Sequence, residues 1–84
     1  MAMTTDFTGT YDYEREEACI VAESYIEGLR EGYYLNADEY HRALIHEREH
    51  WLKMRDFSMA DFSEEFNRLT LPVCAEVFGK EIYL

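Results

Sequence analysis

Two short stretches, "LNADEY" and "FSMADF", constrain this chain more than any other feature. Each carries the signals of a helix start. In the first, Asn36 is a good N-cap and Glu39 stands three residues on, where a capping-box partner belongs. Leu35 and Tyr40 occupy the two positions of a hydrophobic staple. In the second, Ser58 caps, Asp61 stands at N3, and Phe57 and Phe62 form the staple. A chain with two such starts folds into helices.

The apolar spacing fills in the rest. From Asp12 to Glu31, Ala18, Cys19, Val21, Ala22, Tyr25, Ile26 and Leu29 fall within one arc at ~100° per residue, and Gly32 is placed to end the helix. The second helix runs over 37–56 and the third over 59–69, with Met59, Phe62, Phe66 and Leu69 as its apolar stripe. Pro72 is the only proline. A proline inside a helix removes a hydrogen bond, so it is expected to break the third helix and open a short fourth one over 72–78, closed by Gly79. Residues 1–11 are Thr-rich and lack a helical period, which suits a flexible or extended arm. The expectation is a single all-α domain over 1–84, a small bundle of two long and two short helices. Its buried residues are to include Val21, Tyr25, Leu29, Leu44, Trp51, Phe62, Phe66 and Leu69. "EIYL" at residues 81–84 either packs down or pairs with the arm.

"HEREH", residues 46–50, is the motif that suggests an enzyme. In zinc proteases two such histidines, one turn apart, bind the metal, and the adjacent Glu acts as general base. Here the second helix has Ala37, Tyr40, Leu44, Trp51 and Leu52 on its core side, and His46 and His50 project ~140° away from them. Their neighbours Glu39, Arg42, Glu49 and Lys53 make a solvated face. Arg48 and Glu49 fill positions usually uncharged in that motif, and only Glu64 or Glu65 could serve as a downstream third ligand. The expectation is therefore no catalytic residues, no cofactor and no functional metal site. His46 and His50 are at most an adventitious surface site for a divalent ion. Asp38–His41 and Glu47–His50 also have the carboxylate-x-x-His spacing of di-iron bundles. Glu47 lies on the apolar side and is expected to make an inter-helix salt bridge to Arg15 or Arg55.

Charge narrows the function class. The 84 residues carry 18 acids against 8 bases, a net charge of −10. That disfavours direct binding of nucleic acid and of anionic membrane surfaces, whose contacts rely on Lys and Arg. No apolar run approaches the ~20 residues of a membrane span, and the start of the chain has no secretory pattern. Cys19 and Cys74 sit among apolar residues outside any C-x-x-C pair, which suits buried free thiols in a reducing cytoplasm. The acids are concentrated on the first helix, where Glu16, Glu23 and Glu27 align opposite the apolar stripe and Glu31 flanks them. Glu23 and Glu27 stand ~6 Å apart along the axis and Glu16 ~10 Å further back, comparable to successive phosphates of a nucleic-acid strand. Seven tyrosines give aromatic rings to spare, and Tyr11, Tyr13, Tyr33 and Tyr34 cluster at the ends of this helix as candidate anchors.

With its opening "MAM" and the acidic stretch "YDYEREEACIVAESYIEGLRE", the chain resembles small acidic helical phage proteins of host takeover and anti-defence. These include DNA mimics of the overcome-classical-restriction type. The resemblance is compositional. It implies a stoichiometric inhibitor that occludes a basic, nucleic-acid-binding protein partner without catalysis. A zinc metalloenzyme using His46, Glu47 and His50 is the second reading, and a small structural or assembly adaptor the third. A chain this short buries only ~60–65% of its unfolded surface, which leaves a homodimer open.

Overall fold

The computed structural model describes residues 12–84. The expected arm over 1–11, and Tyr11 with it, lie outside the described residues. Three α-helices follow one another: α1 over Tyr13–Arg30, α2 over Ala37–Leu52 and α3 over Met59–Phe78. The chain is all-helical among the described residues, as its periodicity requires, but the helices number three and not four.

The correction falls on Pro72, which lies inside α3. An interior proline costs about 3 kcal/mol. Against that stands one continuous apolar face on both sides of it, with Phe62, Phe66, Thr70, Val73 and Cys74 all buried. Each large apolar side chain in that row contributes about 1.5–3 kcal/mol by burial, so keeping the row in register outweighs the break. The carbonyl left without a donor belongs to Arg68, an exposed residue, where water can replace it. Thr70 stays satisfied inside the core because its hydroxyl donates to the Phe66 carbonyl at 2.9 Å.

The helix ends follow the sequence signals closely. Asp12 caps α1 and accepts from the Arg15 amide at 3.1 Å. Asn36 accepts from the Glu39 amide, and Glu39 reaches back to the Leu35 amide, both at 2.9 Å. Ser58 caps α3 by accepting from the Asp61 amide at 3.2 Å. Gly32 and Gly79 both take φ of 74°, the left-handed conformation that ends a helix. The staple of α3 forms, with the Phe57 and Phe62 rings 5.5 Å apart. That of α2 does not, because Leu35 is 81% exposed. Nor does α2 reach residue 56. It ends at Leu52, and Asp56 takes a positive φ of 52° in the turn that follows.

α1 and α3 run parallel. Arg15 meets Asp61 and Glu64, Cys19 meets Glu65, and the Ser58 amide donates to Glu14 at 3.0 Å. Ala18 and Ala22, fully buried, let the two backbones approach closely. α2 runs the other way and stands off from α1, bridged by large aromatic side chains. Its Trp51 stacks on Phe57 at 4.9 Å near the start of α3, and its Tyr40 meets Phe78 at 5.9 Å near the end.

The tail after Gly79 packs down along α3. The Cys74 thiol donates to the Lys80 carbonyl at 3.2 Å, the Leu84 amide donates to Asn67 at 2.8 Å, and Ile82 is buried. Of the expected core, Leu29, Leu44, Trp51, Phe62 and Phe66 are buried, while Val21, Tyr25 and Leu69 are partly buried against it. Leu52, expected on the core side of α2, is 56% exposed at its last turn.

Candidate functional site

The HEREH motif divides in space. His46 and His50 are exposed, as the wheel predicts, and His46 lies 3.9 Å from Glu49 on the solvated face. Glu47 points the other way. Its Oε1 accepts from the Tyr25 hydroxyl at 2.8 Å and its Oε2 accepts from the Trp51 indole N–H at 2.7 Å. Burial first, and then the bond to Glu47, push the Tyr25 phenol well above its ordinary pKa. Glu47 is thus a tie between α1 and α2, held by neutral donors. The expected salt bridge to Arg15 or Arg55 is not formed.

Arg15 is engaged elsewhere. It contacts Asp12 at 3.1 Å, Asp61 at 3.3 Å and Glu65 at 3.6 Å, and it also pairs with Glu64. Glu65 in turn bonds Arg68, whose guanidinium is the main reason its carboxyl sits below the usual range. The two candidate third ligands are therefore bound to arginines. No group of three or more metal-ligating side chains comes together among the described residues.

The acidic face of α1 is different. Glu16, Glu23, Glu27 and Glu31 are all exposed, and none makes an ion pair among the described residues. Ile20 stands among them, four residues after Glu16 and three before Glu23, and is 58% exposed. The periodicity could have shown this residue, since an isoleucine in an acidic row breaks the pattern of a purely solvating surface.

The tyrosines at the ends of α1 divide as well. Tyr13 is partly exposed and meets Phe57 edge-on at 6.0 Å. Tyr33 is 74% exposed. Tyr34 is half-buried, stacked on Tyr25 at 6.1 Å and edge-on to Tyr40 at 5.1 Å, so one of its faces belongs to the core. Tyr33 and Tyr34 meet at right angles, with ring centroids 5.0 Å apart. With Ser24, Glu27, Gly28 and Glu31 they line an open cavity of about 340 Å³ at the C-terminal end of α1. Ser24 and Gly28 carry no charge or aromatic ring, and nothing in the sequence singles them out. A second groove lies between α2 and the tail, around His41 and Tyr83.

No helix of the described residues is long and apolar enough to cross a membrane. The chain matches no protein-family model, no curated protein and no solved structure.

Proposed function

We propose that this protein is a non-enzymatic binding protein that docks the acidic face of α1 onto a basic, nucleic-acid-processing protein partner and blocks it by occlusion, in the manner of a phage anti-defence protein. The observation that carries the reading is the row Glu16, Glu23, Glu27 and Glu31, exposed and without an ion pair among the described residues, on the helix whose other face supplies the core. Like charges one turn apart cost a few tenths of a kcal/mol each, so the row works against its own helix. A basic partner relieves that repulsion, and long-range attraction speeds its approach. Ile20 supplies an apolar contact within the charged surface, and the tyrosines at the two ends supply anchors.

The test compares the protein with its Glu16→Lys, Glu23→Lys, Glu27→Lys variant, both immobilised and exposed to the same lysate of the host cell. Basic nucleic-acid-binding proteins are expected on the first and not on the second. Raising salt from about 50 to about 500 mM is expected to release them, mainly by slowing association, as is adding duplex DNA. Circular dichroism is expected to be the same for both. Retention unchanged by salt and by the triple reversal overturns the reading.

Ile45 and Leu52, exposed on α2, and Tyr83, exposed on the tail beside Ile45, favour a second reading as a small assembly adaptor. The size of the free protein in solution separates the two.

A further inference from the structure

We infer that the cavity at the C-terminal end of α1 is a subsite for the guanidinium of an arginine side chain on the partner. This rests on the reading of α1 as the partner surface. Its geometry has three parts. Tyr33 and Tyr34 form a corner of two aromatic faces at 88°. Tyr34 is held there by Tyr25 and Tyr40 behind it, and Tyr33, 74% exposed, stands against it as the outer wall. Gly28 forms the floor: a Cβ at that position would stand 3.0 Å from the Tyr34 ring and would push it off the helix by a few tenths of an ångström. Glu27 and Glu31 stand on the rim one turn apart, both exposed and without an ion pair among the described residues.

Aromatic faces beside carboxylates select a cation. The cavity lies where α1 ends, and the negative end of the helix dipole adds to the same preference. A planar guanidinium satisfies both elements at once, stacking on a tyrosine face while donating a fork of hydrogen bonds to a carboxylate. A lysine ammonium is also drawn to a ring face and a carboxylate, but as a compact point charge it can neither stack flat on the ring nor offer a fork of donors. Arg30, in the last turn of α1, is not among the lining residues, so no cation of the described residues lines the cavity.

The test needs no identified partner. N-acetyl-arginine amide is titrated into the free protein and followed by NMR. Saturable shifts are expected at Gly28, Tyr33 and Tyr34, and N-acetyl-lysine amide is expected to bind at least several-fold more weakly. The double variant Tyr33→Ala, Glu31→Gln alters an exposed ring and an exposed carboxylate, so it is expected to fold unchanged and to weaken arginine binding about tenfold. Equal binding of the two amides, shifts spread along α1 instead of concentrated at the cavity, or full binding by the double variant each overturn the subsite. The same double variant in the lysate capture keeps the two claims apart. If it retains partners as the unaltered protein does while the triple reversal loses them, the subsite fails and the α1 surface stands. If neither variant alters retention, the surface itself fails.

Discussion

Glu47 on α2 and Glu27 on α1 carry the same side chain into opposite surroundings. Glu47 turns inward, and both of its oxygens are taken by donors from Tyr25 and Trp51. Glu27 turns outward beside Glu23 and Glu31, with no cation in reach among the described residues. One carboxylate is part of the architecture and can be removed only at a cost to the fold. The other costs the fold nothing to lose and is available to something outside it. In an acidic protein the total charge therefore says little until its members are sorted by what they touch.

The sharpest way to break this contrast is Glu47→Ala. It removes the acceptor of two hydrogen bonds and leaves the indole N–H of a buried tryptophan without a partner. A loss of about 2–3 kcal/mol is expected, read as a fall in Tm on the order of 10 °C for a domain of this size. Glu27→Ala is expected to move stability by less than about 0.5 kcal/mol. If the two variants unfold at the same temperature, the division of the carboxylates is wrong.

Tyr25→Phe sharpens the same point with a smaller effect. It deletes one donor to Glu47 and keeps the ring that packs on Phe66 at 5.5 Å. The expected cost is about 1 kcal/mol. In a double-mutant cycle with Glu47→Ala the two losses should fall short of additivity, because they remove the same bond. Strict additivity would show that the bond carries no energy.

The smallest effect is expected for His46→Ala with His50→Ala. Both imidazoles are exposed, so stability should change by no more than about 0.5 kcal/mol, and partner capture should persist. Stoichiometric zinc that survives dialysis of the unaltered protein would restore the metal-site reading of HEREH, and loss of capture by a folded double variant would place these histidines in the partner surface.

The sequence was most legible where a local rule acts alone. Asn36 with Glu39, Ser58 with Asp61, and the glycines at 32 and 79 mark helix ends through contacts within four residues, and the structure keeps each of them. It was least legible where distant residues decide. Pro72 reads as a break locally, but the buried row from Phe62 to Cys74 holds the helix through it. The spacing of Glu47 turns it inward, yet its partners leave no mark in the sequence, because the neutral donors of Tyr25 and Trp51 carry no charge signal. Leu35 has the right spacing for a staple and still faces water, since the aromatic cluster around Tyr40 is already filled by Tyr25, Tyr34 and Phe78. The exposed row on α1 was legible from periodicity, whereas the cavity at its end needed the turn that brings Tyr33 and Tyr34 back over Gly28.

The parallel pairing of α1 with α3 has a kinetic consequence. Most small helical bundles fold fast because each helix docks on the next one along the chain. Here the closest pair is formed by residues such as Cys19 and Glu65, 46 positions apart, and α2 must turn back before they can meet. Closing so long a loop costs entropy before any burial repays it. Refolding of this protein should therefore be slow for an all-helical chain. A newly made chain would carry α1 with its apolar face uncovered until the last helix arrives.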